Sequence, residues 1–300
     1  MLAAAARQSG TATRSTRALA TAFRALLALT VCLIVLGALV RAHSAGLSCP
    51  DWPLCFGQLV PEMNLRVAFE YSHRVLAGSV SSGFAALCAL AWRRGAGPAA
   101  RRCMLAGALL LGTQILLGAF TVWHLLASWT VTAHLLTGNA FALTLLWTAG
   151  ALDERERPPA TPSARRWLLP AAALLFLQLA LGGLVSSRYA GLACPEWPTC
   201  NGGEWFPSWR GPVGLHLLHR GNGYLLLATL LGAAVALRGD PRVGRGVRLA
   251  AGLALAQVAV GVLNVRLGIP VELTALHSLL AASLVLTIGG SLRQAWASRP

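Results

Sequence analysis

The chain has 300 residues, of which 56% are hydrophobic and only 12% charged, about half the charged share of a soluble globular protein. Its formal net charge of +15 rests on arginine alone, because the sequence contains no lysine, and those arginines fall between long apolar runs rather than on one patch. A soluble cytoplasmic enzyme, a secreted disulfide mini-protein and a nucleic-acid-binding domain are thereby excluded, and an integral membrane protein is predicted.

Runs long enough to cross about 30 Å of hydrocarbon occur at 22–42, 69–92, 102–123, 128–151, 167–187, 213–237, 247–266 and 271–295. They predict an all-α fold with eight transmembrane helices. With the N-terminus inside, the inner segments hold Arg7, Arg14, Arg17 and Arg24, then Arg93, Arg94, Arg101 and Arg102, then Arg155, Arg157, Arg165 and Arg166. Arg238, Arg242, Arg245 and Arg248, then Arg293 and Arg299, complete the inner set, while the outer segments hold Arg41, Arg66, Arg188, Arg210 and Arg266. This bias predicts that both termini are cytoplasmic, an arrangement suited to a bacterial plasma membrane.

A basic tail before the first apolar run is also the pattern of a removable signal peptide. An internal repeat argues for a retained span instead. The segment AGLSCPDWPLCFG (45–57) recurs as AGLACPEWPTCNG (190–202), each copy directly after an apolar run, and the second of those runs is internal. Further along, His73-Arg74 pairs with His219-Arg220, Gln114 with Gln257 and His134 with His277 at nearly the same shift. The chain therefore reads as two pseudo-symmetric four-helix bundles, 1–152 and 167–300, joined by the charged linker DERERPPATPSARR (153–166). An even number of spans per unit relates the two by an axis along the membrane normal.

Four of the seven histidines, His73, His134, His219 and His277, occupy repeat-related places near the outer ends of even-numbered helices. At about 1.5 Å per residue they share one layer in the outer leaflet. Ionisable side chains at such depth face a bundle interior with a partner. The repeat pairs His73 with His134 and His219 with His277, and two imidazoles on facing helices can hold a haem iron between apolar helix faces. A hydrogen-bonding interfacial histidine is the plainer account of any one of them alone, and zinc is weaker because no third or fourth ligand sits at matching spacing in both halves. His43 and His124 have no repeat partners and read as interfacial residues.

One position breaks the symmetry. In EYSHR (70–74), Glu70 shares a helix face with His73, whereas the second copy, HLLHR (216–220), has His216 there. A carboxyl group in an apolar pocket beside a bound ligand can exchange protons near neutral pH, as acid/base chemistry requires. Chemistry is therefore expected in the first half and a permanent electron-relaying cofactor in the second; capping of the helix start is the structural alternative for Glu70. Arg74 and Arg220 point about 100° away from the adjacent histidines. They are candidates for pairing with haem propionates or for snorkelling to headgroups. Gln114 and Gln257 read as interhelical hydrogen-bonding groups.

Cys49 with Cys55 and Cys194 with Cys200 flank Pro-x-Trp-Pro sequences in outer loops. Each pair can close a small structural disulfide over the histidine layer, with pairing between loops and a redox-active Cys49/Cys55 left open. Cys32, Cys88 and Cys103 lie in or beside apolar spans and read as packing residues.

Taken jointly, EYSHR (70–74), TAHLL (132–136), HLLHR (216–220), ALHSL (275–279) and the two CPxWPxC loops resemble the haem A synthase family, in its cysteine-containing class, over nearly the whole chain. That resemblance implies oxidation of the C8 methyl of haem O to a formyl group, giving haem A for terminal oxidases through two hydroxylations and loss of water. It implies haem b on His219 and His277 as electron relay, substrate haem at His73 and His134, and Glu70 as proton acceptor or stabiliser of positive charge. The implied partners are membrane lipid, haem O synthase as substrate donor and an electron donor, in an assembly compatible with a homo-oligomer and without nucleic acid. The rival from another class is a di-haem, quinol-linked electron-transfer cytochrome, which would give no reason for an acid in one pocket only. A haem or metal carrier ranks last, because the inner-leaflet halves of the spans carry almost no ionisable residue.

Overall fold

The computed structural model describes residues 2–153 and 160–296, with side chains from Thr16 onward. Linker residues 154–159, and with them Arg155 and Arg157, lie outside the described residues, as do Arg299 and the side chains of Arg7 and Arg14. Eight long helices follow one another: α1 (Leu2–Ala42), α2 (Leu65–Arg93), α3 (Pro98–Trp123), α4 (Ser128–Leu152), α5 (Ser163–Ser187), α6 (Gly211–Ala236), α7 (Gly244–Arg266) and α8 (Val271–Trp296). A single 3-10 turn (Ala190–Leu192) separates α5 from the second cysteine loop.

Several helices begin a turn before the apolar run, for local reasons. In α2 the side-chain oxygen of Asn64 accepts the backbone N–H groups of Arg66 at 3.1 Å and Val67 at 3.0 Å, so the helix starts at Leu65. In α3 Pro98 fills the first helical position, where its missing N–H costs nothing. Among the described residues, seven helices are long and apolar enough to cross a membrane. The other, α6, is 26 residues long, but its N-terminal half carries His216, His219, Arg220, Asn222 and Tyr224, which lower its hydropathy.

Helix α1 packs on α2 and α4, and α3 on α4; α5 packs on α6 and α8, and α7 on α8. Each half has its own core, around Phe23, Phe84, Phe141 and Leu145 in the first and Leu175, Leu230, Leu284 and Ile288 in the second. The halves meet where α1 touches α8, α4 touches α5, and α4 touches α8. On that last seam Leu143 packs into Gly289, which has no room for a Cβ, and Trp147 Nε1 donates to Gly289 O at 3.0 Å.

One exchange of neighbours departs from two-fold equivalence. Helices α6 and α7 pack against each other, sharing a core through Leu226, Leu230, Ala250 and Ala254, whereas α2 and α3 scarcely touch. Their meeting point lies toward the α2–α3 turn, where Phe84 of α2 leaves no room for a Cβ on Gly107 of α3. The first bundle is thus parted along one side, between α2 and α3, and held together through α1 on α2 and α4.

Candidate functional site

His73 on α2 and His134 on α4 come within electrostatic range of each other, and so do His219 on α6 and His277 on α8. Each imidazole lies against a glycine of the preceding odd-numbered helix. A Cβ placed on Gly37, Gly182, Gly261 or Gly118 would stand 3.1, 3.1, 3.4 or 3.5 Å from Cε1 of His73, His219, His277 or His134 respectively. Hydrogen in place of a side chain lets each ring lie close to the neighbouring backbone. The Nδ1 atoms of His73, His134 and His277 are buried without a hydrogen-bond partner. Unsatisfied buried nitrogens are costly, so these rings are arranged for something other than the protein's own hydrogen bonding. Among the described residues no group of three His, Cys, Asp or Glu gathers into a metal-type cluster. Each bundle offers two imidazoles, a donor set that fits an iron held inside a macrocycle.

The fourth ring is treated differently. Gln178 Nε2 on α5 lies 3.3 and 3.4 Å from the two ring nitrogens of His219, and Asn222 Nδ2 donates to Gln178 Oε1 at 2.7 Å and to Leu174 O at 3.0 Å. In repeat register the first half has Leu33 and Leu76 at these places. The expected equivalence of Gln114 and Gln257 does not extend to their bonding. Gln114 Nε2 donates to His134 O at 3.0 Å and its oxygen accepts the Thr137 hydroxyl, while Gln257 Oε1 is buried without a partner.

Glu70 does not lie in an apolar pocket, nor does it cap its helix, since Asn64 does that. The residue is 5% exposed; Oε1 accepts Arg74 Nη2 at 2.6 Å and Oε2 accepts the Cys49 backbone N–H at 2.9 Å. At the matching place His216 Nδ1 pairs with Ala190 O at 2.9 Å. Both residues tie a helix to the outer loop before it, one with a carboxylate and the other with an imidazole.

The arginines next to the histidines serve the same loops. Arg74 Nη1 donates to Asp51 O at 2.7 Å and Leu54 O at 2.5 Å, and its Nη2 also reaches Cys49 O at 3.1 Å. Arg220 repeats the pattern on Thr199 O (3.0 Å), Cys194 O (2.6 Å) and Glu196 O (2.8 Å). Loop carbonyls, rather than the centre of the bundle, take these donors. The disulfides close within loops, Cys49 to Cys55 and Cys194 to Cys200, leaving Cys32, Cys88 and Cys103 outside them. Inside each loop a carboxylate collects backbone N–H groups: Asp51 from Phe56 (2.6 Å) and Gly57 (2.7 Å), Glu196 from Gly202 and Gly203 (both 3.0 Å). The Gly57 N–H, foremost, holds Asp51 below the usual carboxylate value, and the Gly203 N–H does so for Glu196.

The loop tryptophans part company. Trp197 Nε1 donates to the Tyr224 hydroxyl of α6 at 2.9 Å, whereas Trp52 leans edge-on against Trp123 of α3, with ring centroids 6.1 Å apart. His43 stacks on Phe69 at 4.1 Å, and His124 sits among Phe120 and Trp129 at 5.7 and 5.5 Å, away from the two histidine pairs.

Sequence reasoning missed the four glycines and the Gln178–Asn222 pair. The glycines were readable, since Leu36-Gly37 and Leu181-Gly182 keep the register of the cysteine loops, and Gly118 and Gly261 keep that of the histidines.

These features define a helical membrane protein with two internally repeated, paired-histidine sites, one of which carries a buried acid. The chain belongs to the COX15-CtaA family, described as cytochrome oxidase assembly protein, which matches residues 21–68 and 62–288. It is 32% identical over 213 residues to a protein of Halalkalibacterium halodurans named Heme A synthase, covering 68% of this chain and 71% of that one. A protein of the same name from Shewanella oneidensis is 30% identical over 313 residues, covering 88% and 93% of the two chains. Another, from Symbiobacterium thermophilum, is 30% identical over 251 residues, covering 77% and 80%.

Proposed function

We propose that this protein is a haem A synthase, oxidising the C8 methyl of haem O to the formyl group of haem A. The carrying observation is one buried acid, Glu70, one helical turn before His73, at a place where the other histidine pair has His216. All eight long helices span the membrane in this reading, α6 included, with both termini on the cytoplasmic side of a bacterial plasma membrane. His73 and His134 hold the substrate haem. His219 and His277 hold a resident haem b, which when bound supplies one-electron transfer. The buried Nδ1 of His277 and the ring clearances at Gly182 and Gly261 fit such a group.

Glu70 is the residue that faces the chemistry. With Arg74 on one oxygen and the Cys49 amide on the other, its carboxylate is fixed in place one turn before His73, its charge shared with the Arg74 guanidinium. That arrangement suits stabilising positive charge developing at the methyl carbon better than shuttling a proton, because both oxygens already have partners. Haem O synthase is the class of enzyme that supplies the substrate. In this reading the oxidant is dioxygen: each of two hydroxylations takes one O2, two protons and two electrons from a separate donor and releases one water, before the gem-diol loses water to leave the formyl group.

The test is to purify the protein from cells that also make haem O, extract its non-covalent haems and identify them by chromatography and mass. Haem B together with haem O or A is expected, with the latter two lost in His73→Ala and haem B lost in His219→Ala. Haem B alone in both sites, with no haem A in the membranes, would overturn the reading in favour of a di-haem electron-transfer cytochrome.

A further inference from the structure

We infer that the parting between α2 and α3 is a slot for the isoprenoid chain of the substrate haem, open sideways to the bilayer. This rests on the assignment of His73 and His134 to substrate haem, and adds to it where the tail goes. Haem O differs from haem B by that long apolar chain, so a site for haem O needs room that a site for haem B does not. The two bundles differ in this respect: α6 and α7 are closed on each other, and α2 and α3 are not.

The residues on α2 account for the gap. Phe84 points into the bundle, against Phe23 of α1, Phe141 of α4 and Gly107 of α3, and Ser81, three residues before it, lies about 60° round the helix from that line. Beside them a Cβ on Gly78 would meet nothing within 4 Å. In repeat register α6 has Leu227 where α2 has Ser81, and Tyr224 where α2 has Gly78. Leu227 packs against the core cluster that contains Ala250, Ala251 and Ala254 of α7, and the Tyr224 hydroxyl is tied to Trp197 above it. At these two positions α6 carries large side chains where α2 carries small ones, while Ala77 is matched by Gly223.

The ends of the slot are also defined. Phe84 against Gly107 floors it, and Trp52 leaning on Trp123 bridges its outer end. Between them α3 runs from Gly107 to Trp123, about 24 Å of helix, and His73 with its unpartnered Nδ1 lies on α2 along that stretch. A haem gripped by His73 and His134 could pass its tail out between the two helices without unseating either pair.

The test compares haem O with haem B, which lacks the chain, by titrating each into detergent-solubilised protein and reading the Soret band. Wild type is expected to bind haem O at the first site at least about tenfold more tightly than haem B, since burying even part of the chain removes apolar surface from water. The double variant Gly78→Tyr/Ser81→Leu, which gives α2 the residues of α6, is expected to lose that preference while still binding haem B and keeping its resident haem. Ser81→Leu alone serves as the milder variant, and retention of the resident haem reports folding. Equal affinity of wild type for both haems, or a well-folded double variant that still prefers haem O, would overturn the slot. A wild type in which added haem of either kind ignores His73→Ala would instead sink the underlying site assignment.

Discussion

The two halves of this molecule share helices, loops, disulfides, arginines and histidines, yet differ wherever a histidine's surroundings meet its neighbours. In the second half His219 is held by Gln178, itself held by Asn222, under a closed pair of helices. In the first half His73 has leucines at those places, an unpartnered ring nitrogen, a buried carboxylate nearby and a gap alongside. The internal repeat gives both halves one fold, and under the proposed function these few differences suit the second copy to retention and the first to turnover.

The sharpest way to break this comparison is Glu70→Gln, which keeps shape and removes charge. Formation of haem A is expected to fall by roughly 10²-fold or more, the usual reach of a single charged catalytic group, with haem O accumulating in extracts and the second site still filled. Normal haem A content would refute the assigned role. Next comes Gly182→Leu, which forces a side chain toward His219 Cε1. Resident haem should be lost from the purified protein, by its absorption spectrum, while Gly37→Leu should spare it and block substrate binding alone; identical behaviour of the two variants would erase the difference between halves.

Gln178→Leu gives the second half the residue of the first. Removing one hydrogen-bonding partner is worth about 1 kcal/mol, so the resident haem should exchange several-fold faster into apomyoglobin and its reduced spectrum should shift; an unchanged exchange rate would deny Gln178 a positioning role. The disulfides offer a subtler contrast. Cys55→Ser and Cys200→Ser should each cost about 2 kcal/mol of stability, but only Cys55→Ser should slow haem A formation, because the Cys49 N–H holds Glu70 while His216 uses Ala190 instead.

The smallest effect is on acid stability. Asp51 and Glu196 sit below their ordinary values of 3.8 and 4.5 in the folded loops. Their contribution is therefore complete above those values and declines as pH falls below them through the lowered folded values. Asp51→Asn should flatten the acid response of the first loop, followed by tryptophan fluorescence, and leave the second loop's response intact.

Much of this was legible in the chain itself. Apolar runs placed the helices, and the repeat placed His73, His134, His219 and His277 in one layer. Helix starts were misplaced by a turn where Asn64 and Pro98 acted, because capping reads single residues rather than hydropathy. The surroundings of Glu70 were hidden for another reason: Arg74 and the Cys49 amide reach it only once the loop folds over α2. Gln178 was invisible because its repeat partner is a leucine, so register, which exposed the histidines, passed over it. The opening between α2 and α3 depends on what Gly78 and Ser81 lack, and periodicity does not record that.

The seam between the halves carries a last consequence. Arg41 of α1 donates to Ser186 O at 2.7 Å and to the Tyr189 hydroxyl at 2.8 Å on the outer side, Trp147 bonds across α4 and α8, and apolar helix faces fill the space between. None of these contacts uses the covalent connection at residues 154–159. The two halves, expressed as separate polypeptides cut there, should therefore find each other in the membrane and reassemble, checked by co-purification of one half with a tagged copy of the other.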